Sequence, residues 1–230
     1  MLEFRASKDR GAASFGWLNS KHTFSFGRYY DPTQMGFSAL RVINDDEVAP
    51  AAGFDTHGHQ DMEIISYVLQ GEIAHKDSAG NIKTLPAGEF QLMSAGKGIY
   101  HSEFNASDSN NLKFLQIWIQ PNQFGGAPGY QQKAFERQNG LNLIISPDGR
   151  DGSLQMKQNA FLHQLILPQG EQLALPVQAD RRYYLHLITG SLQLGEQRLQ
   201  PGDGIKVAQL SSLSAEALEG PVEALWFDLP

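Results

Sequence analysis

Residues 54–63 read FDTHGHQDME, with two histidines one residue apart and a glutamate four residues after the second. In an extended segment alternate side chains share a face, so His57 and His59 point the same way, and a regular strand adds Asp61 and Glu63. Two imidazoles about 7 Å apart along one face can converge on a single ion. Residues 94–105, SAGKGIYHSEFN, repeat the arrangement: a glycine-flanked turn leads into a strand where His101 and Glu103 share a face and Asn105 follows in parity. Side by side in an antiparallel barrel, the two strands would bring three imidazoles and a carboxylate into one largely apolar cavity.

Composition narrows the chemistry. The chain has 230 residues, 41% hydrophobic and 19% charged, enough for one large or two small globular domains. It contains no cysteine, which excludes disulfides, zinc ribbons, thiolate catalysis and iron–sulfur clusters. Any metal is therefore held by nitrogen and oxygen. A net charge of −7, with no basic run longer than Arg181–Arg182, argues against direct nucleic-acid binding. The N-terminus has no apolar signal core, and no apolar run reaches membrane-spanning length. A cytoplasmic protein without a membrane partner is the expectation.

The elements that must carry these residues are strands. The 23 glycines and 11 prolines punctuate short apolar runs, with turn signals every eight to twelve residues. GFSALRVIND, MEIISYVLQ and LKFLQIWIQP read as strands, and Gly71, Ala-Gly-Asn, Pro-Ala-Gly and Gly-Lys-Gly as turns. Residues 121–140, PNQFGGAPGYQQKAFERQNG, lose the pattern and read as a linker in which YQQKAFERQ could form a short helix. A second strand-rich half follows, and LHLITGSLQLGEQRLQPGDGIKVA echoes SYVLQGEIAHKDSAGNIKTLPAGEFQLM. The echo predicts a duplicated all-β topology: residues 1–125 with the metal chemistry, and 126–230 without it. The closing VEALWFDLP is expected to bury Trp226 and Phe227.

Gly53, His57, His59, Glu63 and Gly71 resemble the first cupin motif, and Pro86, Gly88, His101 and Asn105 the second. HTFSFGRYYDP, GFSALRVINDD, HGHQDMEIISYVLQGEIAHKDS and MSAGKGIYHSE are more specific, and resemble the pirin family of bicupins across almost the whole chain. ISPDGRDGSL resembles the bacterial members with quercetinase activity. The resemblance implies two cupin-type β-barrel or jelly-roll domains and one divalent transition metal in the first. Fe(II) is the first choice, with Mn, Co, Ni, Cu and Zn also compatible with such ligands. Carried over, the ligands are His57, His59, His101 and Glu103. The general cupin pattern would make Glu63 the fourth ligand; the closer family match favours Glu103, and leaves Glu63 to orient a histidine or relay a proton.

The activity implied is a metal-dependent dioxygenase that opens a flavonol such as quercetin with loss of carbon monoxide, using dioxygen, with Glu103 as ligand and base. The alternative is a metal-binding regulatory protein acting through protein contacts, and a weaker one is a cupin isomerase, epimerase or metal-free cupin. For the remaining residues structural roles are expected. His22 is a hydrogen-bonded histidine near the cavity mouth, His75 a solvated residue at a hairpin tip, and His163 and His186 core histidines. Asp55 and Asp61 are turn or surface residues and Lys97 is solvated. Phe24, Phe26 and Met93 pack in the core, and Tyr29 and Tyr30 pack under the site.

Overall fold

The computed structural model describes all 230 residues as twenty strands and two single-turn 3-10 segments. No helix is long and apolar enough to cross a membrane. β1 (Leu2–Arg5) is followed by β2 (Gly11–Ser14), β3 (Leu18–His22), β4 (Leu40–Val48), β5 (Gly53–His59), β6 (Glu63–Gln70) and β7 (Glu72–Asp77). Next come β8 (Ile82–Pro86), β9 (Glu89–Ser94), β10 (Ile99–Asn105), β11 (Leu112–Ile119) and β12 (Gly129–Ala134). The remainder comprises β13 (Gly140–Ser146), β14 (Leu154–Gln155), β15 (Phe161–Leu167), β16 (Gln172–Ala174), β17 (Arg182–Leu194), β18 (Gln197–Leu199), β19 (Gly204–Ala208) and β20 (Ser214–Leu229).

Two compact units result. One comprises residues 11–135 with 156–158; the other comprises 1–10, 136–155 and 159–230. The first unit holds a seven-stranded sheet, ordered β12-β9-β6-β11-β4-β3-β2, and a four-stranded sheet, β5-β10-β7-β8. The second is one nine-stranded sheet built on β1-β19-β17-β20-β15-β13-β14, which takes in the N-terminal strand. These sheets are open: the strand orders do not close into the barrel that one reading of the sequence allowed.

Alternation explains the first unit. In β4, Leu40, Val42, Asn44, Asp46 and Val48 are buried on one face, and in β10 Ile99, His101, Glu103 and Asn105 are buried while Tyr100 is exposed. Gly71 lies at φ 83 between β6 and β7, where the chain leaves one sheet for the other. Gly190 lies at φ 78 within β17, at register shifts. Only glycine occupies that region without steric cost, so the same residue makes both bends in the duplicated pattern. Trp226 and Phe227 are fully buried, with Trp226 stacked on Tyr183 at 5.0 Å.

One expectation is corrected. YQQKAFERQ contains no helix; Gly129–Ala134 is the edge strand β12, paired antiparallel with β9 from Gly129↔Ser94 to Ala134↔Glu89. Here the backbone groups of β9 offer a complete set of partners, which outweighs the weak helical propensity of a nine-residue stretch.

β5 and β10 pair with His57 opposite His101 and His59 opposite Ile99. A bulge between His101 and Glu103 then places Phe54 opposite Glu103. Gly53 makes the approach feasible, because a Cβ there would collide with the Glu103 carbonyl oxygen and the Phe104 Cα. Gly53→Ala is expected to cost about 1–3 kcal/mol and several degrees of Tm, checked by calorimetry on the metal-free protein.

Candidate metal centre

The four-stranded sheet assembles the site. His57 and His59 come from β5, His101 and Glu103 from β10, and His75 and Asp77 from β7, with Glu103 opposite His75 and His101 opposite Asp77. Directly opposed residues share a face, so all six side chains lie on one surface. The donor atoms of His57, His59 and His101 lie within 4.8 Å of one another, as do those of His75, His101 and Glu103. His101 is the corner common to both groups. The Nε2 atoms of His101 and His57 are 3.1 Å apart.

Protonation leaves these rings ready to donate lone pairs. His57 Nδ1 lies 2.7 Å from the Asp55 carbonyl oxygen, which can only accept, so Nδ1 donates there and Nε2 is turned towards His101. Burial, then repulsion from His101 and His57, pushes His59 down to about 4. Burial, then His57 and His75, pushes His101 down to about 3. Both rings are therefore neutral near neutral pH. An unfolded histidine protonates near 6.5, so as the pH falls below that value the unfolded chain gains protons that the native sites refuse. The metal-free protein is expected to hold a constant Tm above about pH 7 and to lose stability progressively from about pH 6.5 towards 4, measured by calorimetry.

Glu103 is fixed by a hydrogen-bonded support. Its Oε1 accepts from Ser66 Oγ at 3.2 Å and Gln91 Nε2 at 3.1 Å. Gln91 in turn accepts from Tyr130 OH at 3.1 Å. Burial and the nearby carboxylates, Glu103 foremost, push the Tyr130 phenol upward, so it stays protonated and donates. Oε2 of Glu103 is buried without any partner, as is Nδ1 of His75. A buried carboxylate oxygen with no donor is costly in a protein interior. With His75 and His101 it forms an N/O donor set that fits a divalent transition metal.

Several residues fall elsewhere than expected. His75 is not a solvated hairpin residue: it is buried, with Nε2 3.2 Å from Asp77 Oδ2, and joins His101 and Glu103. Burial pushes the Asp77 carboxyl up, but hydrogen bonds from Asn81 and His75 outweigh it and hold the group below its ordinary value. The missed signal was the two-residue spacing of His75 and Asp77, the same interval as His57 and His59.

Glu63 does not join the cluster. The chain takes a left-handed turn at Asp61, φ 48, and Glu63 then opens β6, on the face opposite Ser66, which touches Glu103. There it accepts from Ser94 Oγ at 2.7 Å and from the Lys157 amide at 3.3 Å. Glu63→Gln can keep both bonds, and is expected to leave metal affinity within about threefold of wild type by equilibrium dialysis. Tyr30 is also out of place, 71% exposed rather than packed beneath the site.

Above the histidines lies a vestibule of about 380 Å³ walled by Trp17, Phe26, Phe54 and Trp118, with Gln116 at its side. Trp118 sits edge-on to His59 at 5.0 Å and to Phe26 at 5.3 Å.

Known proteins are similar to this chain in sequence and fold. The Pirin family profile matches residues 3–119, and the profile described as a quercetinase C-terminal cupin domain matches 143–229. The quercetin 2,3-dioxygenase of Escherichia coli strain K12 is 46% identical over 230 residues, covering 100% of this chain and 99% of that one. The pirin-like protein of Caulobacter vibrioides is 39% identical, covering 95% of this chain and 96% of that one. The crystal structure of the bacterial pirin YhhW from Escherichia coli in complex with nickel(II) superposes with a TM-score of 0.97 at 45% identity, covering 100% of this chain and 99% of that one. With both halves matched and two cupin domains present, the chain belongs to the pirin family.

Proposed function

We propose that the chain is a quercetin 2,3-dioxygenase-like oxidoreductase that acts in the cytoplasm on a flavonol and dioxygen, opening the central ring and releasing carbon monoxide. The observation that carries this reading is the pair of donor groups sharing His101, one holding the unpartnered Glu103 Oε2 and the other placing His57 and His59 in the lining of an aromatic vestibule. The relatives named quercetin 2,3-dioxygenase support the substrate class.

His57, His59, His101 and Glu103 would hold the metal, with buried His75 beside His101 and Glu103 on the β7 side. When bound, the metal supplies Lewis acidity towards the flavonol 3-hydroxyl and brings the two reactants together. The chain's own residues do the rest. Glu103 Oε2 takes the 3-hydroxyl proton, while Gln91 and Ser66 hold the carboxylate by its other oxygen. The Asp55 carbonyl keeps the His57 proton on Nδ1. Trp17, Phe26, Phe54 and Trp118 bracket a planar ring and exclude water. In the net reaction two carbon–carbon bonds of the ring break. Both oxygen atoms of dioxygen enter the depside product, and one ring carbon leaves as carbon monoxide.

The test is aerobic quercetin consumption by metal-free protein reloaded separately with Fe, Mn, Co, Ni, Cu or Zn, with carbon monoxide trapped in the headspace. Metal-dependent consumption with stoichiometric carbon monoxide is expected. Failure of every metal form to consume quercetin, with metal still bound, would overturn the reading in favour of a metal-binding regulatory protein.

A further inference from the structure

Beside the vestibule lies a second, larger space of about 620 Å³, within the size range of small-molecule sites. It shares Trp17, Phe26, Phe54 and Gln116 with the vestibule, so the two are contiguous. Its far wall is the edge of the seven-stranded sheet. Ala13 on β2 faces Ser20 on β3, which faces Asp46 on β4; His22 faces Asn44, and Asn44 faces Gln116 on β11. Phe15, Trp17, Phe26, Tyr29 and Phe54 supply the apolar surface.

The polar floor is buried and held in place. Ser20 Oγ donates to Asp46 Oδ1, and His22 Nδ1 lies 2.8 Å from Asn44 Oδ1. Tyr29 stacks on His22 with ring centroids 6.4 Å apart. Gln116 stands where the two spaces meet. It is only 6% exposed, lines both, and its amide makes no hydrogen bond to another protein group. An amide that lines a cavity can donate to and accept from a ligand's polar atoms. Aromatic walls select a planar ring, and a buried carboxylate selects hydroxyl donors over anions.

We infer that this chamber is the subsite for a second, hydroxylated aromatic ring of the substrate whose oxygenated ring occupies the vestibule, with Gln116 hydrogen-bonding the substrate at the junction. The inference rests on the flavonol reading of the metal centre and narrows it to substrates carrying a pendant phenolic ring. Bicyclic hydroxypyranones without that ring fill only the vestibule.

The experiment is calorimetric titration of the protein as isolated, under nitrogen so that nothing is consumed. The ligands are quercetin, galangin (a flavonol whose pendant ring has no hydroxyl) and 3,5,7-trihydroxychromone (quercetin without the pendant ring). Quercetin is expected to bind at least about tenfold tighter than the chromone, the effect of burying one aromatic ring, with galangin between them. Ala13→Phe, which plugs the chamber from a half-buried edge position, is expected to bring quercetin to the chromone's affinity while changing the chromone by less than about twofold. Ala13→Leu, a smaller plug, is expected to shift quercetin in the same direction should the larger ring impair folding. Equal affinities for quercetin and the chromone in wild type, or a quercetin preference that survives both plugs, would overturn the subsite. Galangin binding as tightly as quercetin would overturn the assignment of hydroxyl recognition. Turnover in air separates the two proposals. A ring preference without turnover keeps the subsite and removes the dioxygenase, and turnover without ring preference does the reverse.

Discussion

His101→Ala is expected to empty the metal centre. Metal content should fall from about one ion per chain to below about a tenth, and quercetin consumption by at least about a thousandfold. His101 belongs to both groups of donors, so its loss leaves two imidazoles on one side and His75 with Glu103 on the other. His101 is the one residue the two groups have in common, so its loss leaves them without a shared ligand. Elemental analysis after dialysis checks the first part and oxygen uptake the second. His186→Ala is the control: His186 is equally buried, but in the second unit, and its loss should leave metal content unchanged. Loss of metal in both variants would point to global damage instead.

Glu103→Gln is expected to act with opposite signs on fold and function. In the metal-free protein the carboxylate is 2% exposed, and its Oε2 has no donor. Replacing a buried charge that lacks a full set of partners by a neutral group of the same shape removes a desolvation cost of about 1–3 kcal/mol. The metal-free Tm should therefore rise by a few degrees. The same change removes the anionic ligand and the proton acceptor, so the Tm increase that metal produces in wild type should shrink sharply, together with turnover. Paired calorimetry with and without metal reads both. A metal-free Tm that falls would show that Glu103 is already compensated in the native fold, and would sink the argument from its orphaned oxygen. The trade is common where a site is built for a ligand rather than for stability.

Part of this site is a local property of the chain. Two residues at positions i and i+2 of a strand share a face whatever surrounds them, so the pairing of His57 with His59, and of His101 with Glu103, could be read directly from the letters. The absence of cysteine and the turn spacing likewise limited the donors to nitrogen and oxygen, and the scaffold to strands. Motif resemblance then tied the two pairs together.

What the tertiary structure decided concerns neighbours across strands. The bulge between β5 and β10 lets Phe54 and His57 face the same cavity, although three residues apart in a regular strand they would face opposite ways. His75 became a partner of His101 and Glu103 because β7 pairs with β10 in that register. Glu63 was separated from the histidines by a single left-handed residue at Asp61, which ended the alternation the sequence suggested. The chamber floored by Ser20, His22, Asn44 and Asp46 exists only because β3 and β4 pair with those residues opposed. Alternation along a strand is set by the backbone of that strand alone; register, bulges and strand order depend on contacts between residues distant in the chain.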